Sequence, residues 1–309
     1  MSLGNNMSTA TLGRAPNAAA QIPALVNPRS GTARKAISAL QLDARFALRE
    51  IPPREIADAI RVEAAKRTSR VLVCGGDGTV ATALGAAAGT TLDVAVFPSG
   101  TLNHFARDIR LPIDDPSAIL DIAATGIPMP VDLGYVNGHV ILNTSSAGTY
   151  VDFVRYREAS KRWLGYRMAS VVAAIRVWLR PRIVRAEIHA NDGSSNRLQT
   201  PLIFVGVGER ILNRAGLGAR IQGGVRSFHV IVVNERARSR LEALGLGTLV
   251  RGLDEFIRDD EIESHLVSEI TAAMHHPAGT IAIDGELIRV TSPLRYEFKR
   301  AVAKVICRE

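Results

Sequence analysis

Cysteine is nearly absent. The 309 residues include two, Cys74 and Cys307, too few for a disulfide framework and in no metal-binding spacing. A reducing, cytoplasmic setting is therefore expected, with Cys74 a small core residue rather than a nucleophile. Aromatic residues are scarce, at 5%. No zinc-finger or RNP-type pattern accompanies the net charge of +8, which argues against nucleic acid as a partner. No uninterrupted apolar run of ~18 residues occurs, so no membrane-crossing helix is expected. The start of the chain lacks a basic segment followed by an apolar core, so no signal peptide is read. The G-K-(S/T) ending of a Walker A loop is missing too.

The hydrophobic fraction, 47%, is that of a globular protein. Residues 1–21 are polar, Ala-rich and aperiodic, and are expected to be disordered. The positive charge leaves an anionic membrane surface or a phosphorylated substrate as partner.

The most informative stretch is Val71 to Arg107. A short apolar strand, Val71 to Val73, runs into Gly75-Gly76-Asp77-Gly78-Thr79, and an Ala/Leu-rich helix follows. A second strand, Val94 to Phe97, ends in Pro98-Ser99-Gly100-Thr101. Two strands thus end in glycine turns that each lead into a helix. Such turns let a ligand approach the backbone, and helix starts offer unpaired N–H groups and a positive dipole end. Together they suit a polyphosphate, and Asp77 adds a carboxylate able to hold a magnesium ion.

These residues, with Leu102-Asn103-His104-Phe105-Ala106-Arg107, resemble the nucleotide site of soluble lipid kinases, the diacylglycerol kinase and sphingosine kinase superfamily. The family's second motif is P-x-G-T-x-N-D-(F/L)-A-R, so His104 stands where most members carry aspartate. A third match, Asn27-Pro28-Arg29-Ser30-Gly31, resembles the family's N-P-x-(S/A)-G segment. By composition alone it is a strand-to-helix turn. A fourth, Asp284-Gly285-Glu286, is by itself a hairpin turn, but it resembles the family's late D-G-E.

The resemblance implies ATP and Mg2+ as cofactors and a lipid as substrate, diacylglycerol-type in the first instance. It implies Asn27, Gly31, Gly75, Gly76, Gly78, Thr79, Gly100, Thr101 and Asn103 at the nucleotide. Glu286 becomes the general base, with Asp284 and Asp77 beside it. Asp77, Asp132 and Asp284 become the metal network. Read as a plain strand residue, Asp132 is equally well explained as exposed.

Fold class follows from the order of elements. Ile22 to Val26, the helices after Thr32 and Pro52-Pro53, and the strands above give βαβαβα. That is an α/β domain with a parallel sheet, Rossmann-like and NAD-kinase-like, over 22–130, completed by 292–309. From Val131 the pattern turns antiparallel. Val131 to Asn143 reads as a hairpin about Asn137-Gly138, and Ile183 to Ala190, a turn at Asn191-Asp192-Gly193, Leu202 to Val207, Phe228 to Val233, Glu269 to Met274 and Thr280 to Val290 follow. A β-sandwich lipid-substrate domain over 131–291 is expected. The boundary is placed in the proline-bearing stretch near residue 130. The acidic run Asp254 to Glu263 reads as a solvated face.

Between Arg155 and Arg185 nine Lys or Arg meet one acid. Trp163, Leu164, Met168, Val171, Val172, Ile175 and Leu179 give a helical apolar pattern. A stripe buried on the sandwich is the expected use. A peripheral contact with anionic membrane is the functional one. A homodimer is left open. The rivals are an NAD kinase-type phosphotransferase, which shares the G-G-D-G-T turn, and a catalytically silent lipid-binding protein of the same fold. A dinucleotide-binding dehydrogenase is weaker: Gly76 to Ala81 fits G-x-G-x-x-A, but no acid sits where the ribose would need it.

Overall fold

The computed structural model describes residues 21–179, 184–190, 195–211, 219–233, 262–274 and 277–308. The expected disordered tail, the turn at Asn191 to Gly193 and most of the acidic run after Asp254 lie outside the described residues. The N-terminal elements are β1 (Ile22–Val26), α1 (Ala33–Gln41), β2 (Phe46–Glu50), α2 (Ile56–Ala65), β3 (Arg70–Gly75), α3 (Asp77–Ala87), β4 (Asp93–Pro98), α4 (His104–Asp108) and α5 (Pro116–Thr125). β2, β1, β3 and β4 lie side by side and parallel.

Both faces of this sheet are apolar, as a parallel sheet between helices requires. Leu25, Val71, Val73, Val94 and Val96 cluster with Ile56 and Ile60 of α2 and Val80 and Leu84 of α3. Their strand neighbours Ala24, Val26, Leu72, Cys74, Ala95 and Phe97 cluster with Ala36 and Leu40 of α1 and Ile119 and Leu120 of α5. Burial pushes the Cys74 thiol up, away from reactivity. α5 begins as its sequence implies: Pro116 is its first residue, and the Asp115 carboxylate accepts the Ala118 N–H at 3.0 Å.

The remainder is β5 (Ile127–Val136), β6 (His139–Ile141), β7 (Thr144–Gly148), α6 (Thr149–Leu179), β8 (Val184–Ala190), β9 (Ser195–Thr200), β10 (Leu202–Val207), β11 (Phe228–Val233), β12 (Ile262–Val267), β13 (Glu269–Met274), β14 (Ala278–Ile283), β15 (Glu286–Thr291) and β16 (Leu294–Cys307). β12, β11, β10, β7, β14 and β15 form an antiparallel sheet of six strands. It faces the antiparallel part of the larger, ten-stranded sheet. Val205, Val230, Ile281 and Phe228 on one side meet Val136, Ile270, Leu294 and Tyr296 on the other. The rings of Phe228 and Tyr296 meet edge to face at 5.9 Å. The expected sandwich is present.

β16 joins the two parts. Its end runs parallel to β4, with Val305 opposite Val94, and its start runs antiparallel to β13, with Tyr296 opposite Ile270. A register shift between Lys299 and Ala303, with Ala301 at φ 50°, bends it between the two.

Two sequence expectations differ from the structure here. Residue 130 lies inside β5, which pairs with β16 from Ile127 to Val136. Pro128 and Pro130 are tolerated because this stretch pairs only with β16, so it has an edge where an N–H is not needed. The apolar pattern of α6 is not a buried stripe either: Trp163, Leu164, Met168 and Val171 are exposed. α6 breaks at Gly165, whose φ of 69° and ψ of 167° are not helical, so a single helical wheel does not apply to it.

Candidate active site

Three loops at the ends of β1, β3 and β4 are knitted together. The Asn27 N–H donates to the Cys74 carbonyl at 3.0 Å, and Ser99 N–H to the Gly75 carbonyl at 2.9 Å. Asn27 Nδ2 donates to Thr79 Oγ1 at 3.1 Å, while Asn27 Oδ1 accepts the Arg29 N–H at 3.0 Å. Ser30 Oγ and Ser99 Oγ lie 2.7 Å apart, and Thr32 N–H reaches the Ser99 carbonyl at 2.9 Å. Asn27 and Ser99 are buried, so these bonds are shielded from competing water.

The glycines touch. A Cβ on Gly100 would lie 2.5 Å from the Gly76 Cα, and one on Gly76 would lie 3.1 Å from the Gly100 Cα. Asn103, at φ 52°, closes the second turn by bonding Gly100 through both amide atoms, at 2.9 and 3.0 Å. A Cβ on Gly31 would sit 3.6 Å from the Ser99 carbonyl, an ordinary contact. Thr101 is exposed at the rim.

At the start of α3 the first intrahelical bond is donated by Val80, to the Gly76 carbonyl. The N–H groups of Asp77, Gly78 and Thr79 precede it and have no acceptor within the helix. They sit at its positive end. Asp77 meanwhile reaches across to the other motif: its two oxygens accept the N–H groups of His104 and Phe105, each at 3.0 Å. The carboxylate therefore caps α4, and His104 takes part through its backbone, its side chain being exposed.

Asp284 and Gly285 lie far along the chain, joining β14 to β15 with φ 48° and 85°, the positive values a type I′ turn needs. Asp284 Oδ1 accepts the N–H groups of Asn143 and Thr144 at 2.7 and 2.8 Å, and Oδ2 that of Leu142 at 2.8 Å. Burial, with the Asp77 carboxylate nearby, pushes the Asp284 carboxyl above its ordinary range against the pull of these donors. The turn delivers Glu286 to the start of α3, where a Cβ on Gly78 would meet Glu286 Oε1 at 2.8 Å. Residues more than two hundred positions apart thus share one corner.

Beside that corner is a cleft of about 370 Å³. Its walls include Gly78, Ala81 and Gly85 of α3, Val140 of the β5–β6 hairpin, and Glu286 and Ile288. Arg61 and His139 also line it. Its lining is mixed: alanines of α3, Val140 and Ile288 are apolar, while Asp284, Glu286, Arg61 and His139 bring charge and hydrogen-bonding groups to the same space, as a site for an alcohol attached to a hydrocarbon part requires.

Asp132 departs from the expected metal network. Arg226 Nε and Nη2 hold both its oxygens, and the Ala301 N–H adds a bond at 2.8 Å. Although burial raises it, Arg226 and that N–H bring the Asp132 carboxyl below its ordinary range. Among the described residues no group of three His, Cys, Asp or Glu is placed to hold a metal ion. Asp77, Asp132 and Asp284 are each engaged by protein donors instead. Only Asp77, with one N–H on each oxygen at the loop end of α3, fits an ion arriving with a nucleotide's phosphates.

The sequence reading missed three arginines. Arg226 is one. Arg220 Nη2 donates to the Leu142 carbonyl at 3.0 Å and Arg210 Nη2 to the Asn143 carbonyl at 2.6 Å. The segment that gives Asp284 its N–H groups is therefore held on its carbonyl side by guanidiniums. Burial, with Arg220 beside it, pushes Arg210 down to about 10. The signal was the glycine-rich stretch at the end of β10: a Cβ on Gly206 would meet Arg210 Cγ at 2.7 Å, and one on Gly208 would meet Arg220 Cδ at 3.5 Å. The glycines make room for the two stems.

Residues 21–136 match the family model of the diacylglycerol kinase catalytic domain. A diacylglycerol kinase of Mycobacterium tuberculosis (strain ATCC 25618 / H37Rv) is 34% identical over 167 residues, covering 50% of this chain and 54% of the relative. One from Bacillus subtilis (strain 168) is 32% identical over 94 residues, 29% of this chain and 30% of the relative. The matched stretch thus spans about half the length, or less, of these curated relatives. In fold, the crystal structure of a diacylglycerol kinase from Bacillus anthracis str. Sterne superposes with a TM-score of 0.68 at 18% identity, covering 93% of this chain and 97% of that one. An NAD kinase from Archaeoglobus fulgidus in complex with ATP gives 0.50 at 10% identity, with 94% of each chain covered. The resemblance read from the motifs and the NAD-kinase-like fold both hold.

Proposed function

We propose that this chain, which shares the diacylglycerol kinase catalytic domain of the soluble lipid kinases over residues 21–136, is an ATP- and magnesium-dependent lipid kinase. The observation that carries the reading is the contact of Glu286 with Gly78 at the start of α3. It supports a carboxylate that serves both the proposed phosphate cradle and the cleft that Glu286 lines with Ala81, Val140 and Ile288.

The chemistry follows from that placement. Asn27, Gly31, Gly75, Gly76, Gly78, Thr79, Gly100, Thr101 and Asn103 form the nucleotide side, with the N–H groups at the start of α3 turned to the phosphates. A magnesium ion carried by the nucleotide would offset phosphate charge, and Asp77 is the residue that would meet it. The lipid hydroxyl enters the cleft and gives its proton to Glu286. Its oxygen bonds to the terminal phosphorus as the bond to the bridging oxygen breaks, and ADP leaves. Asp284 positions Glu286 through its turn rather than reacting itself. Diacylglycerol is the acceptor favoured by the family match. The nucleotide-binding part is assigned to residues 22–130 with 292–309, and the lipid-substrate part to 131–291. The protein acts in the cytoplasm, peripherally attached to anionic membrane.

The test is transfer of the terminal phosphate of labelled ATP to diacylglycerol, monoacylglycerol, ceramide and a sphingoid base in mixed micelles, with NAD in a separate soluble assay. Label on a lipid supports the reading and names the substrate. Label on NAD alone, or none at all, overturns it.

A further inference from the structure

The break in α6 makes a hairpin. Arg176 stacks over the ring of Tyr156 at 5.4 Å. Twenty residues of unbroken helix would hold them about 30 Å apart, so the two halves fold back on each other at Gly165. No atom lies within 4 Å of where a Gly165 Cβ would be, yet its φ of 69° is one that other residues rarely adopt.

The apolar residues divide accordingly. Val151 and Val154 on the first half, and Ala169 and Ala173 on the second, are buried. The large ones sit at and next to the tip and face outward. Trp163 is 80% exposed, Leu164 46%, Met168 55% and Val171 48%. Arg162 lies over the Trp163 ring at 5.5 Å. Across Thr149–Leu179 six Lys or Arg meet two acids. An apolar tip with indole and thioether groups, with Arg162 over the indole and Lys161 beside it in sequence, matches the layers of an anionic bilayer. Tryptophan suits the headgroup boundary, aliphatic carbon the acyl region, and Lys and Arg the phosphates. Among the described residues no helix is long and apolar enough to cross a membrane, so the contact is with one face.

The base of the hairpin is tied to the candidate active site. α6 follows β7 directly and packs on β7, β14 and β15. β14 and β15 carry the Asp284-Gly285 turn, and β15 opens with Glu286. We propose that the α6 tip, centred on Trp163, Leu164 and Met168, is a wedge that inserts into the surface of an anionic phospholipid bilayer and holds the Glu286 hairpin against it. The purpose of this docking rests on the lipid-kinase reading; the docking itself does not.

The experiment uses sucrose-loaded vesicles of phosphatidylcholine with and without phosphatidylglycerol. Binding is measured by pelleting for the parent and for a variant carrying Trp163→Ser, Leu164→Ser and Met168→Ser, all at exposed positions. A second form, Trp178→Phe, leaves Trp163 as the sole tryptophan. Its emission is followed on vesicles with brominated acyl chains. Expected results are binding that needs phosphatidylglycerol, a blue shift and quenching of Trp163, and binding weakened on the order of tenfold or more in the triple variant. Turnover of a short-chain, dispersed diacylglycerol should change less than about twofold in that variant, since the tip is remote from the chemistry. Three outcomes overturn the proposal: Trp163 emission unmoved on bound vesicles, equal binding by the triple variant, or a parent dimer that the triple variant converts to monomer with vesicle binding intact. An inserted Trp163 in a parent that phosphorylates none of the lipids of the panel would support the wedge while removing the kinase reading.

Discussion

Replacing Gly100 with alanine tests whether the contact between the two glycine turns shapes the nucleotide side. The added Cβ would stand 2.5 Å from the Gly76 Cα, whereas carbon atoms rest about 3.5–4.0 Å apart. Backbone cannot swing aside as a side chain can. The turns must therefore separate by about 1 Å, and Asp77 and the N–H groups at the start of α3 move with Gly76. Misplacement of that size costs about 10²-fold in rate, and the strain costs about 1–3 kcal/mol of stability. Gly31→Ala is the matched control. It adds the same methyl in the neighbouring loop, but at 3.6 Å from the Ser99 carbonyl, an ordinary contact, so its melting temperature should match the parent's. Steady-state transfer from labelled ATP to diacylglycerol, with kcat and the KM for ATP determined separately, reads both variants. Thermal melts establish that they are folded. A folded Gly100→Ala with parental kcat/KM, or a Gly31→Ala equally destabilised, would mean that the glycine contact does not shape the turns.

Other substitutions probe the carboxylates. Asp77→Ala removes both acceptors at the start of α4, so the melt should report a loss of about 0.5–2 kcal/mol, while phosphate transfer falls far more. A variant that loses stability but keeps its rate would leave Asp77 a cap alone. Asp284→Asn tolerates the φ of 48°, but its amide group cannot accept the N–H it would face, at a cost of about 1–3 kcal/mol in urea unfolding. Unchanged unfolding would mean that the three N–H bonds are not an anchor. The Asp132 carboxyl is held below its ordinary range, so its pairing with Arg226 stabilises the protein above that range and is lost as pH falls through its lowered value. Arg226 is half exposed, which limits the effect to about 1 kcal/mol or less. The stability gap between parent and Asp132→Asn should therefore narrow as pH falls below about 4, and a gap that widens would reverse the assignment.

Much of the fold was legible because its signals are local. β1, β10, β11 and β13 have the bounds that their apolar runs imply, and Asn137-Gly138 turns the chain with φ 47° and 83° as its residue types require. β7 was not legible. Thr144 to Gly148 is small and polar, and it is buried because β10 and β14 pair along its two edges, which no window of sequence records. Pro128 and Pro130 lie in a strand and not in a linker, because proline is compatible with a strand edge as well. At the site, glycine spacing pointed to the turns. The capping of α4 by Asp77 and the pairing of Asp132 with Arg226 depend on contacts 27 and 94 residues apart. The hairpin in α6 hung on one glycine within a continuous helical pattern.

The role of Glu286 is tested most directly by transfer of the terminal phosphate of labelled ATP to diacylglycerol by the parent and by Glu286→Gln, with ATP binding measured on both. The two side chains have nearly the same shape, and Glu286 is exposed, so folding and ATP affinity should be unchanged. Expected are labelled lipid from the parent and a rate lowered about 10²–10⁴-fold in the variant. Transfer at the parental rate by a folded Glu286→Gln would contradict that role.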